Sequence, residues 1–189
     1  MPEIVPLARH HDRTRFDCGV PELNSFLKAT ARQHGDKGIS RTFVLSDQEK
    51  PATILGYFTL TLCEVRTEHL PATYAKKYPK FRDTIPISGE IGSCLQISPQ
   101  HGLPAVRLAR LAVSGKYQRK GCGCLLLAEA IHRTVLIAEQ AGLIGLFVDA
   151  KDERAHKFYE KYGFVSLPGR VLQLFLPLET LRLAVKGKE

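Results

Sequence analysis

The stretch VSGKYQRKGCGCLLLAEAIHR, residues 113–133, decides how the chain is read. An apolar run ends at Val113, three cations and three glycines follow, and then a pattern of helical period begins. Glycine is a poor helix former, and neighbouring cations repel one another, so such a segment is costly unless it binds something. It falls where a strand hands over to a helix. The first amides of a helix have no partner inside it, and the helix dipole adds positive potential at that end. Glycines let a ligand approach those amides closely. Gln118, Arg119, Lys120, Gly121, Cys122 and Gly123 therefore read as a cradle for a phosphate or pyrophosphate. Two familiar phosphate loops do not fit: there is no GxxxxGK[ST], and the third glycine of GxGxxG is missing. A tight turn carrying solubilising charge is the plainer alternative.

Outward from this stretch the periodicities are clear. AVRLARLAVSG, residues 105–115, predicts a strand, and GCGCLLLAEAIHRTVLIAEQAG a helix stopped by Gly142. Cys124, Leu127, Ala128, Ile131, Val135 and Ala138 define its expected apolar face. LIGLFVDA, residues 143–150, is continuous enough for a strand buried on both faces. DERAHKFYEKYGF predicts a helix capped by Asp152 and ended by Gly163, with Ala155, Phe158, Tyr159 and Tyr162 as an apolar stripe. RVLQLFLPL is a last strand, followed by a short helix to Val185. Upstream, Ile4 to Leu7 predict a first strand. A helix follows from Pro21 to Gly35, with Leu23, Phe26, Leu27 and Thr30 inward. SRTFVLSD and ATILGYFTLTLCEV then form an antiparallel hairpin. Residues 66–103 carry four prolines and several lysines, and predict an irregular insertion with a short helix near Tyr74 to Tyr78. The order implies an α/β chain: a mixed sheet, antiparallel in its first half, with helices on both faces.

The chain has 189 residues, the length of one domain, so 1–189 is expected to be a single unit interrupted by that insertion. Its formal charge is +8, which favours nucleic acid, anionic membranes or phosphorylated cofactors as partners. No run reaches the roughly 20 apolar residues of a membrane span, and the N-terminus lacks a signal-peptide core. The five cysteines are odd in number and show no zinc spacing. They are expected to be reduced thiols in a cytoplasmic protein without a metal site.

Q-x-x-G-x-G after RLAV resembles the acetyl-coenzyme A signature of the GNAT acetyltransferases. FDCG…LNSFL, SRTFVL, GYFTL, RLAVSGKYQRKGCG and FYEKYGF, in this order, resemble the GNAT toxins of bacterial toxin–antitoxin modules. The likeness spans most of the chain. It is weakest over 66–103, where IGSCLQISPQHG matches nothing.

The resemblance implies a GNAT fold with acetyl-CoA as cosubstrate. Its pyrophosphate would lie on 118–123 with Cys124, and its pantetheine would pair with a strand through Leu111, Ala112 and Val113, which splays from the next one. Phe158 would complete the cofactor site. Tyr159 would be the general acid: a phenol of pKa about 10 is protonated at neutral pH and can donate to a leaving thiolate. The Val113 amide is the expected oxyanion donor. Glu64 is the one carboxylate nominated as a base, against a plain reading as a solvated strand-end charge. The acceptor would be the α-amino group of aminoacyl-tRNA, whose acetylation stops translation, and Lys28, Arg32, Arg41, Arg107 and Arg110 would contact tRNA. Lys76, Lys77, Lys80 and Arg82 could add to them. A ribbon-helix-helix antitoxin, operator DNA held only through it, and a homodimer complete the expected assembly. The alternatives are an acetyltransferase for a small or protein amine, and a fold that binds coenzyme A or RNA without chemistry.

Overall fold

A computed structural model describes residues 2–78 and 102–186. Seven strands form one mixed sheet in the order β1-β2-β3-β4-β5-β7-β6. They are β1 Glu3–Pro6, β2 Arg41–Ser46, β3 Ile54–Val65, β4 Leu103–Val113, β5 Gly145–Asp149, β6 Val165–Leu167 and β7 Arg170–Pro177. All neighbours are antiparallel except β4 and β5, joined by the crossover helix α4, Cys122–Ala141. The expected hairpin, parallel unit and mixed sheet are all present. β6 is an addition: three residues are too few for a sequence period to show.

The N-terminal helix runs as α1 Pro21–Ser25, a π turn over Phe26–Thr30, and α2 Ala31–Asp36. The Ala31 amide donates back to Phe26 O, one residue further than an α-helix allows. That extra residue rotates the apolar face. Phe26, Leu27 and Ala31 are buried in place of the predicted Thr30, and the helix continues one residue past Gly35. Tyr57 on β3 donates its hydroxyl to Leu23 O (2.8 Å) and pins α1 to the sheet.

The α1–α2 helix covers one face, over Val44, Tyr57 and Ala112. α4, α5 (Glu153–Glu160) and α6 (Leu178–Lys186) cover the other through Leu126, Leu127, Tyr159 and Leu181, packed on Phe58, Leu108, Leu146 and Leu174. On α4 the inward stripe is Cys122, Leu126, Leu127, Ala130, Ile131, Thr134, Val135 and Ala138. Cys124 is exposed and Ala128 half-buried, so the predicted face was turned slightly about the axis.

After a 3₁₀ turn at Thr67–His69, a one-turn helix α3 (Ala72–Ala75) precedes Tyr78. Tyr74 meets Phe175 edge-on (5.6 Å), and Lys77 pairs with Glu179 (2.7 Å). The rest of the expected insertion, including Lys80, Arg82, Cys94 and most of IGSCLQISPQHG, lies outside the described residues.

Candidate active site at a fork in the sheet

β4 and β5 pair only from Val106–Leu146 to Leu108–Val148. Beyond Leu108, β4 continues to Val113 against β3 alone, and the parallel pair opens into a fork. The register against β3 jumps from Leu60–Leu108 to Thr59–Arg110, which leaves Ala109 as a bulge where the strands part. Bulges bend and twist a strand, which suits this position. The Ser114 amide donates to Leu55 O on the β3 side (2.9 Å). Successive strand amides point to opposite sides, so those of Val113 and Leu111 face the fork.

One end of the fork meets the N-terminus of α4. Gly121 caps it at φ +81°, and Arg119 is the one non-glycine residue with positive φ among the described residues (61°). Both are left-handed backbone, which an L-residue adopts at a cost of roughly 1–2 kcal/mol. The first intrachain acceptor in this helix is Gly121 O, reached by the amides of Cys124 (3.0 Å) and Leu125 (3.1 Å). The preceding amides are left to point outward. The Gln118 Nε2 donates to Cys18 O and Val113 O, both at 3.0 Å. That side chain is spent on tying the loop to the strand and the N-terminal segment.

The other wall is α5, started by Asp152, whose side chain accepts the Ala155 amide at 2.8 Å. Phe158 lies 3.8 Å from where a Cβ on Gly123 would stand, with Val113 3.9 Å away. Glycine-loop helix, forked strand and aromatic helix thus converge. Tyr159 is buried, its ring against Phe158 and Phe164 (centroids 5.2 and 5.4 Å), and its hydroxyl has no hydrogen-bond partner among the described residues. Burial pushes this phenol well above its ordinary 10. Tyr162, expected in the same stripe, falls beyond the end of α5 and is exposed. It contacts the Cys124 thiol, which raises its own pKa.

The nominated cations separate into two groups. Lys28, Arg32 and Arg41 are exposed, and Arg13, absent from the sequence reading, joins them by donating to Lys28 O (2.9 Å). Arg32 and Arg41 both line a pocket of about 320 Å³. Arg107 and Arg110 lie beside the fork on the α1–α2 face. Three positions apart, they would face opposite ways on a regular strand; the Ala109 bulge puts them on one side. Arg107 pairs with Asp149 at the end of β5 (2.9 Å). Glu64 stands opposite Pro104, four residues of β4 and about 13 Å from the fork's apex at Leu108. It is too remote to serve as a base there. Among the described residues no group of three metal-ligating side chains could hold an ion.

A sheet opened between parallel strands admits an extended chain as a substitute strand, and the helix amides at its end suit that chain's pyrophosphate. This defines a coenzyme A-dependent acyltransferase. Residues 83–166 match the acetyltransferase (GNAT) domain family. The tRNA-acetylating toxin of Mycobacterium tuberculosis (strain ATCC 25618 / H37Rv) is 29% identical over 171 residues, covering 90% of this chain and 89% of the relative. The structure of AtaT complexed with acetyl-methionyl-tRNAfMet matches with a TM-score of 0.81 at 29% identity, over 98% of this chain and 99% of that one. AtaTR bound with AcCoA matches with a TM-score of 0.75 at 31% identity, over 97% and 98%. The chain belongs to the GNAT acetyltransferase toxins.

Proposed function

We propose that this protein transfers acetyl from acetyl-CoA to the α-amino group of aminoacyl-tRNA and thereby blocks translation. The observation that carries this is the fork between β4 and β5, with the glycine-capped α4 at one end and the unpartnered Tyr159 hydroxyl in its wall. The reading is also supported by the likeness to a tRNA-acetylating toxin and to AtaT with acetyl-methionyl-tRNAfMet.

Acetyl-CoA enters as the missing strand. Its pantetheine pairs with β4 over Leu111, Ala112 and Val113. Its pyrophosphate takes the amides between Arg119 and Cys124, with the cations of Arg119 and Lys120 beside it, while Gln118 holds the loop's shape. Phe158 packs against the pantetheine. The amine attacks the thioester carbonyl, the Val113 amide receives the oxyanion, and Tyr159 donates its proton as the thiolate of coenzyme A departs. An α-amine has a pKa near 7.7 to 8.0, so a substantial share is already unprotonated at neutral pH and a water can take the remaining proton.

Lys28, Arg32, Arg41 and Arg13 form the phosphate-facing surface, with Arg110 nearer the fork. Arg107 serves less well, because Asp149 already holds it. The chain works as one acetyltransferase domain with the insertion at 66–103, in the cytoplasm and as a homodimer. A ribbon-helix-helix antitoxin restrains it, and DNA is bound only through that partner.

The test is transfer of labelled acetyl from acetyl-CoA to a charged tRNA pool, with uncharged tRNA and a Tyr159→Phe protein as controls. Label on charged tRNA alone, lost in the variant, is expected. Acetyl-CoA binding without label on tRNA would instead favour a small or protein amine as acceptor.

A further inference from the structure

We propose that the Arg110 guanidinium, backed by the Phe26 ring, is a stacking platform for the terminal adenine base that bears the aminoacyl ester. The inference rests on the tRNA reading above and names the part of that substrate this surface recognises. The Arg110 Cζ lies 3.6 Å from the Phe26 centroid. Phe26 is itself backed by Tyr57 (6.4 Å, stacked) and flanked by His34 (5.8 Å, edge-on). The ring is 6% exposed, so Arg110 is its lid.

Several observations set this arginine apart from the other cations. It makes no ion pair among the described residues, whereas Arg107 on the same face is bound to Asp149. Its side chain is held by an aromatic face and not by a carboxylate, which leaves the charge uncompensated and the guanidinium plane pre-ordered. Arg planes stacked on aromatics are a standard surface for unpaired bases, because every base offers a π-face. The position is also right. Arg110 is two residues past Leu108, the last β4 residue paired with β5, so it stands at the mouth of the fork on the face opposite α4 and α5. The Ala109 bulge turns it to that face. Arg110 and Val113 stand three residues, about 10 Å, apart on β4, a span that the ribose and aminoacyl ester of a base stacked there can cover. Arg110 is therefore a substrate-binding residue: it touches the base and holds the acceptor at the mouth of the fork without entering the chemistry.

The test compares three acceptors carrying the same amino acid: charged tRNA, the aminoacyl ester of adenosine, and the methyl ester, which has no base. Steady-state constants are measured for wild type, Arg110→Lys, which keeps the charge but loses the plane, and Phe26→Leu, which keeps an apolar contact but loses the ring. With Arg110→Lys, KM for charged tRNA and for the adenosine ester is expected to rise about tenfold, the order of one lost base stack. Both kcat and the KM for acetyl-CoA should hold. The loss with the methyl ester should be at least several-fold smaller, and Phe26→Leu should follow the same pattern more weakly. Equal losses with adenosine and methyl esters would overturn the platform while leaving the tRNA reading intact. So would a wild-type protein that prefers the adenosine ester no more than the methyl ester. Wild type that binds acetyl-CoA yet acetylates neither charged tRNA nor the adenosine ester would overturn the tRNA reading, and the platform with it.

Discussion

Tyr159 shows how burial suits one side chain to a task. Among the described residues its phenol has no carboxylate or cation beside it, and desolvation raises its pKa above the ordinary 10. In the acid role proposed for it, the phenol would keep its proton throughout the neutral range. Single-turnover acetyl transfer should therefore show no descending limb from this group up to pH 9; a limb centred below that would remove Tyr159 as the acid. Tyr159→Phe should lower kcat by about 10²-fold or more, with little change in KM for acetyl-CoA. His11 illustrates the opposite sign. It is buried, its Nδ1 accepts the Ala8 amide (2.9 Å), and desolvation, reinforced by His10, lowers its pKa below 6.5. The neutral form is the one the fold keeps. Its contribution to stability is complete above the unfolded value of 6.5 and is lost as pH falls through the lower folded value. Urea unfolding should give a smaller free energy at pH 5 than at pH 7.5, and His11→Gln should flatten that difference.

Among the elements, the turn from β4 into α4 carries the clearest consequences. Gly121→Ala forces a side chain to φ +81° and should cost roughly 1–2 kcal/mol, read as a lower Tm, together with weaker acetyl-CoA binding by calorimetry. Gly123→Ala separates the two effects. Its new Cβ meets only ordinary contacts, 3.8 Å from Phe158, and alanine favours a helix by about 1 kcal/mol. The protein should hold its Tm or gain stability while losing affinity for the cofactor, whose approach the methyl obstructs. This turn was legible in the sequence because glycine, charge and the change of period coincide there. The α5 cap was legible for a similar reason: Asp152 precedes a helix pattern, and its side chain accepts the Ala155 amide. Other features left no such trace. The π turn at Phe26–Thr30 moves the buried face from Thr30 to Ala31, and no residue type announces an added residue in a helix. The Ala109 bulge is equally silent, yet it decides which way Arg110 points. Three-residue β6 is shorter than any period that could reveal it.

At the scale of the molecule, charge and topology divide the work. The +8 balance was visible from composition, but its partition was not: Arg107 is neutralised by Asp149, while Lys28, Arg32 and Arg41 remain open. Binding of tRNA should weaken steeply between 50 and 200 mM salt. Arg32→Gln should weaken it for all isoacceptors alike and reduce the slope of log affinity against log salt by about one. The fork has a wider meaning. Where β4 leaves β5, a row of backbone donors and acceptors has no strand partner among the described residues. The fold is completed by a metabolite, so its durability is coupled to the acetyl-CoA pool by mass action. With acetyl-CoA abundant the molecule should unfold more slowly, and amide exchange at Leu111 and Val113 should be suppressed. When the pool drains, the same molecule should loosen at that seam and become more sensitive to proteases. The persistence of the toxin would then report on the metabolic state of the cell it acts in.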